Sequence, residues 1–396
     1  MGMSPLHAQV LSGKSEISLL TGSSGEELYS TFGHSAIRVK DTKNTLDLVY
    51  HYGTFDFNTP NFYIKFLRGR LNYMLSVQKF SSFKRSFIYE NRSINELILD
   101  LDSIQKQEVF DFLKNNYLPE NRYYHYEFFF DNCATRIRDL FQTVLGEQLQ
   151  YNYPRKWTTK PMSFRQLLDV CLAQKEWSDF GMDIIIGVPT DRIAKPREYM
   201  YLPVFLEEST KLAKLTYKTG KVKPFVKSAS EIVSAKPVNS TQQGVLPHHV
   251  TWGFFIIIVL LTVLSYHIRQ PFIAVDIVVF TFAGLFGWLI VFLWFFTDHQ
   301  ATKDNINIFW ALPLHVPLIY FIVSKRIRKI WHYWLAFSII LITAILFFWS
   351  MLPQQMHPAL LPVLGALELR LLVLLMTRYV NPPQAERTSS NLNSQK

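Results

Sequence analysis

The sequence predicts an α+β extracytoplasmic domain followed by an all-α, five-span transmembrane bundle. Composition gives the first sign. Up to about residue 210 apolar and polar residues are mixed, and from Trp252 to about Met376 long runs of Phe, Ile, Leu, Val and Trp dominate. The second is that strand-like runs are grouped in the first part, ahead of an amphipathic helix starting near residue 133. The third is the placement of Lys and Arg beside the apolar runs, which is consistent with one orientation in a bilayer.

The elements follow in order. Ile17–Leu20, His34–Val39 and Thr45–Tyr52 read as strands, and Asn58–Arg70 as helical after Pro60. Tyr73–Gln78 and Ile94–Asp100 read as two more strands. Ser103 or Asp102 caps a helix that places Val109, Phe112 and Leu113 on one face. Tyr123–Phe130 reads as extended, and Asp131 or Asn132 caps the next helix. That helix carries Ile137, Leu140, Phe141 and Val144 at helical spacing and stops at Gly146. Residues 160–205 add a helical lobe, and 211–250, rich in Lys, Ser, Thr, Pro and Gln, read as a linker. The expected layout is 1–10 as the end of a signal peptide, 11–210 as the globular domain, 211–250 as the linker, 251–378 as the bundle and 379–396 as a tail. The start is read from Ser4–Gln9, whose small residues resemble those before a cleavage point.

Five stretches approach the ~20 apolar residues that a bilayer core requires: about 252–268, 272–297, 308–324, 330–351 and 358–377. The third is short and contains Pro313 and Pro317. Lys325–Lys329 is the densest basic cluster of this half and marks the cytoplasmic side, with Arg269, Arg378, Arg387 and Lys396. Asp298–Asn307, with Lys303 as its only Lys or Arg, and the N-terminal domain then lie outside. The net charge of +10 is explained in part by these basic residues and the linker, and no basic patch on a reading element points to nucleic acid. Two cysteines in different settings make no disulfide framework.

The chemistry centres on Cys133, in the first turn of its helix on the core-facing side. Partial positive charge and unpaired N–H groups at a helix start are expected to lower a thiol's pKa and to hold an oxyanion. Cys171, inside the apolar run Leu167–Leu172, reads as a small buried hydrophobe. A thiol nucleophile needs a base. His34, between Gly33 and Ser35, is the candidate; strand alternation puts it with Arg38 on one face and Ile37 and Val39 on the other. His51 on the following strand is the candidate third member, with His125 as its competitor. In the second half Asp276, Glu368 and Arg370 lie inside apolar runs and read as ion pairing within a helix bundle. Asp298, His299, Asn305 and Asn307 cluster on the outer loop, at headgroup depth or simply in solvent.

The order of histidine strand, polar-residue strand and Asn-Cys helix resembles the circularly permuted papain-like arrangement of the NlpC-type superfamily. More closely, the stretches Phe32–Arg38, Tyr50–Phe55, Asp131–Arg136 and Trp177–Gly187, with the multi-span region after them, resemble the Lnb proteins of Bacteroidota-type bacteria. The resemblance implies a Cys/His catalytic domain over 11–210 in the periplasm, anchored in the inner membrane. It implies lipoprotein N-acylation, in which an acyl chain passes from a phospholipid donor through a Cys133 thioester to the amine of a diacylglyceryl-cysteine lipoprotein, with no cofactor or metal. His34 and Cys133 match motif positions. Arg38, Asn132 and Arg136 fall in the same motifs as candidate substrate-binding residues, joined by His299, Asn305 and Asn307 of the outer loop. The competing classes are a Cys-His hydrolase (a peptidoglycan peptidase, phospholipase or thioesterase) and a non-enzymatic membrane sensor.

Overall fold

The computed structural model of the protein describes residues 10–27, 30–217, 220–236, 244–324 and 329–380. The expected signal-peptide end at 4–9 and the tail at 381–396 lie outside the described residues, as do the side chains at 325–329 and of Arg378. The chain divides into two compact units, the first containing 1–174, 192–241 and 297–300, the second 175–191, 242–296 and 301–396.

The first unit is built on β1 (Glu16–Gly22), β2 (His34–Asp41), β3 (Leu46–Thr54), α1 (Phe62–Leu67), β4 (Asn72–Lys79), α2 (Phe80–Tyr89), β5 (Ile94–Leu99), α3 (Ser103–Tyr117), β6 (Tyr123–His125) and α4 (Cys133–Leu145). After these come β7 (Leu149–Gln150), α5 (Lys156–Thr159) and α6 (Phe164–Leu172), then α8 (Pro203–Leu212), β8 (Lys214–Thr216), β9 (Val222–Pro224) and β10 (Val226–Val233); α7 (Glu176–Ile185) belongs to the second unit. Seven strands form one antiparallel sheet in the order β10-β5-β1-β2-β3-β4-β6, and β7, β8 and β9 form a small second sheet. The strands expected from the sequence are present to within a residue or two.

Alternation divides the large sheet into two faces. Ile17, Leu19, Ile37, Val39 and Tyr50 pack with Val109, Phe110 and Leu113 of α3 and with Ile137, Leu140 and Phe141 of α4. On the opposite face Leu20, Ala36 and Val49 pack against Phe83 and Phe87 of α2. Asp102, rather than Ser103, caps α3 through a capping box with Gln105.

Two expectations are corrected. The stretch expected as a linker, 211–250, supplies three strands, and β10 completes one edge of the large sheet against β5. The run expected to stay extended to Phe130 leaves the sheet after His125, because the Glu127 carboxylate accepts the Phe129 and Phe130 N–H groups at 2.9 and 2.7 Å and curls the chain.

The second unit contains α7, α9 (Pro247–His267), α10 (Ile273–Phe295), α11 (His315–Ser324), α12 (Lys329–Phe347) and α13 (Leu360–Val380). Among the described residues three helices are long and apolar enough to cross a membrane: Pro247–His267, Ile273–Phe295 and Ile330–Phe347. The expected third stretch yields the short apolar helix α11, and the expected fifth yields α13, which carries Glu368 and Arg370 and is not among those three. Gly284 and Gly287 of α10 face the 311–316 backbone so closely that an added Cβ would clash, which lets that segment pack directly on the helix.

The expected ion pair is present. Arg370 Nε donates to Asp276 at 2.7 Å and its NH1 to Thr262 Oγ1 at 2.9 Å, while Glu368 accepts from Thr343. Both charged side chains are almost fully buried. Removing one partner strands the other, at about 3–5 kcal/mol. Arg370→Leu or Asp276→Leu alone is expected to lower the unfolding temperature in detergent, and the double substitution to recover most of the loss.

Candidate active site

Asn132 fixes the start of α4. Its Oδ1 accepts the Ala134 and Thr135 N–H groups at 2.9 and 3.0 Å, and its own N–H donates to Thr135 Oγ1 at 2.8 Å. Its Nδ2 donates to the carbonyls of Phe128 (2.7 Å) and Tyr201 (2.9 Å). A buried amide with every polar atom engaged is a clamp between the 127–131 loop, the helix start and the 198–201 turn. Asp131, the other candidate cap, instead makes a two-pronged ion pair with Arg136 at 2.6 and 2.7 Å.

The clamp delivers Cys133 to the opening between β2 and β3. Pairing of these strands runs from Asp41↔Leu46 to Ile37↔Tyr50 and goes no further. The N–H groups of Ser35, Ala134 and Cys133 itself lie near enough to the sulfur to favour its charged form. On its other side a Cβ built on Gly53 would stand 3.6 Å from Cys133 Cβ and 3.7 Å from Tyr126. Gly53 adopts φ +86°, in the left-handed region, so conformation favours glycine there, while a Cβ would only reach ordinary contact distance.

The expected low thiol pKa is not found. Burial pushes it above its ordinary value, and the three N–H groups offset this only in part. Burial disfavours the thiolate, and the Ala134 N–H is shared with the Asn132 cap. Cys133 is therefore a neutral thiol in the resting site, beside N–H groups that can receive negative charge. Cys171 on α6 is half-buried, and burial pushes its thiol up to about 11.

His34 is next in sequence to Ser35, but alternation sends its ring to the α2 face of the sheet, and among the described residues no hydrogen bond joins it to Cys133, which packs on the α4 side. His34 Nε2 lies 3.4 Å from His51 Nδ1, with the rings edge to face. His51 Nε2 lies 3.2 Å from Gln78 Nε2 on β4. Phe83 packs against both imidazoles, with centroids 6.5 and 5.8 Å away. Burial first, then the charges of His51 and Arg92, brings His34 down to about 3, and burial brings His51 to about 4. Both rings are neutral at physiological pH. His125 is exposed on the edge strand β6, opposite Asn72, and takes no part in this chain.

The six other candidates are held by protein partners. Arg38 pairs with both Asp47 oxygens at 2.7 and 2.8 Å and with Glu96 at 3.1 Å, its guanidinium 3.5 Å from the Phe80 centroid. Arg136, besides Asp131, lies over Tyr124 at 3.6 Å. Asn132 is the clamp described above. His299 meets the Leu67 carbonyl at 3.2 Å. Asn305 and Asn307 are buried in the second unit, where they donate to carbonyls at the end of α7: Asn305 to Ile184 at 2.9 Å, and Asn307 to Asp183 and Ile184 at 3.1 Å. Gln354 joins them through Ile186 O and Asn305 Oδ1. Gln78, Ser35 and Gly53 were not singled out from the sequence; their roles depend on strand register, which no local motif records.

Against known proteins, residues 6–169 match the Lnb N-terminal periplasmic domain and residues 239–381 match the Lnb transmembrane domain. The chain belongs to the Lnb family. No curated protein and no solved structure matches it. It is thus a membrane protein with a periplasmic N-terminal domain, and Lnb membership points to a lipoprotein-modifying role.

The depressed histidines have a thermodynamic signature. Between pH 6.5 and about 3 to 4 the unfolded chain binds protons at His34 and His51 that the folded chain refuses, so their contribution destabilises the fold as pH falls through that window. The raised Cys133 thiol acts at the other end, where the unfolded chain loses a proton first above its ordinary value of 9. Unfolding temperature against pH is expected to fall on the acid side below about 6.5, and less steeply in His34→Gln/His51→Gln.

Proposed function

We propose that this Lnb protein is a lipoprotein N-acyltransferase in which Cys133 is the nucleophile, His34 the general base and His51 the residue that orients it. The observation carrying this reading is the chain His34–His51–Gln78 on neighbouring strands, with Cys133 opening α4 beside Gly53 and near the Ser35 N–H. The order of its members, on β2, β3 and the start of α4, supports a permuted papain-like arrangement. A five-span anchor in the inner membrane, counting α11 and α13 with the three longer helices, accords with the match to the Lnb transmembrane domain.

Sulfur and imidazole are both uncharged at rest, so proton removal accompanies attack rather than preceding it. The Gln78 amide can present either end to His51. With its oxygen inward, Gln78 accepts the His51 Nε2 proton, and His51 Nδ1 accepts the His34 Nε2 proton. His34 Nδ1 is then left unprotonated to take the thiol proton. Sulfur attacks the ester carbonyl of a phospholipid, and the oxyanion is held by N–H groups at the start of α4 and at Ser35. The C–O bond breaks, His34 returns the proton to the departing alkoxide, and a lysophospholipid leaves with the acyl group held as a thioester. The amine of a diacylglyceryl-cysteine lipoprotein attacks this thioester, gives its proton to His34 and forms an amide, and the sulfur regains a proton. Arg38, Asn132, Arg136, Asn305 and Asn307 act in this reading by holding the framework, not by touching substrate.

The test uses the full chain in proteoliposomes with a diacylglyceryl reporter lipopeptide, read by mass spectrometry. Cys133→Ala is expected to abolish amide-linked acylation; a reporter equally acylated with wild type and Cys133→Ala overturns the reading. Fatty acid released in place of acylated reporter would make the protein a hydrolase.

Gln78→Leu is expected to lower kcat on the order of 10²-fold, at the lower end of the ~10²–10⁴ that a positioned base contributes. Gln78→Glu, which keeps an acceptor facing His51, should recover much of this. Because both histidines are already neutral, kcat/KM is expected to show no acid limb near pH 6.5, and a histidine-like limb there would contradict the buried pair.

A further inference from the structure

α1 is a six-residue helix with its sides reversed. Phe62 alone is buried, while Tyr63 is 80%, Ile64 60%, Phe66 50% and Leu67 51% exposed, and Phe57 just before the helix is 70% exposed. Five large apolar side chains clustered at one corner of a globular unit are unusual for a surface facing only water. Lys65 and Arg68 lie among them.

The corner is built to be held still. Gly69, at φ +67°, closes the helix, and the His299 imidazole covers it so closely that a Cβ would stand 3.1 Å from the ring. Asp298 N donates to Arg68 O at 2.9 Å, its carboxylate pairs with Arg70 at 2.7 Å, and His299 Nε2 meets Leu67 O at 3.2 Å. Asp298 follows Phe295, the last residue of a membrane-spanning helix, by three positions. Extended backbone limits that separation to about 11 Å. The exposed corner is thus tied by its own backbone to a segment that chain connectivity keeps near a bilayer surface.

Inward from the corner runs a row of aromatic rings. Phe62 stands 5.5 Å from Phe55, Phe55 5.3 Å from Tyr73, and Tyr73 stacks on Tyr126 at 4.4 Å. Tyr126 and Cys133 both border Gly53.

We infer that α1 and Phe57 form a hook that inserts into a phospholipid leaflet, and that the aromatic row behind it guides an acyl chain to Cys133. Apolar side chains interleaved with basic ones suit the boundary between acyl chains and anionic headgroups. The guiding role rests on the acyltransferase reading; the insertion does not.

The experiment places a photoreactive residue at Tyr63→p-benzoylphenylalanine in the full chain, in nanodiscs of phosphatidylethanolamine and phosphatidylglycerol. Tyr89→p-benzoylphenylalanine is the control, since Tyr89 is 91% exposed on α2 in the same unit. After illumination, intact-mass measurement is expected to show phospholipid adducts at position 63 in several-fold excess over position 89, in wild type and in Cys133→Ala alike. Equal adducts at both positions, or protein–protein dimers at position 63 in their place, overturn the insertion. For the guiding role, Ile64→Asp/Phe66→Asp is expected to raise KM for vesicle phospholipid several-fold while leaving turnover of a soluble short-chain ester unchanged; loss of both activities, or of neither, overturns it. Adducts at position 63 in a protein without acyl transfer would retain the insertion and sink the acyltransferase reading.

Discussion

The candidate site depends on one interruption: β2 and β3 stop pairing after Ile37↔Tyr50, and the start of α4 fills the opening. An unpaired stretch inside a sheet is costly unless its N–H groups find other acceptors. Here the Ser35 N–H lies near the Cys133 sulfur, and Gly53 borders it in a left-handed conformation. Asn132 makes the arrangement rigid by tying three separate segments to the first turn of the helix. Asn132, Ser35 and Gly53, which border the sulfur, are short or fixed by the backbone, so its position is well defined.

The electrostatic design follows from that position. A helix start favours a thiolate, but the same lodging removes the sulfur from water, and burial wins. The histidines are treated alike, since His34 and His51 are buried against Phe83 and held neutral. Neutral groups can be buried without the desolvation cost that an ion pair would carry.

Much of the fold was legible in the sequence because it was local. Alternation in His34–Val39 and Thr45–Tyr52, the spacing of Ile137, Leu140 and Phe141, and the cap before Cys133 each reflect a single element. What was missed depends on pairing between distant segments. Gln78 reaches His51 from the neighbouring strand. Asn305 and Asn307, read as loop residues open to headgroups, turn inward to satisfy carbonyls at the end of α7. β10 passed as linker because an edge strand exposed along most of its length shows no alternation and tolerates lysine and serine. The thiol's raised pKa is hidden from the sequence for a different reason: charge at a helix end can be read there, and depth of burial cannot.

That last strand also sets a timetable. β10 pairs with β5, yet it is made after every other strand of the large sheet and shortly before the first helix capable of spanning the membrane. As the chain emerges, β5 must wait with an open edge while more than a hundred residues pass. Open edges recruit foreign strands. The β5 edge is therefore covered only when the membrane anchor is about to follow, so completion of the large sheet and arrival at the bilayer come close together in synthesis.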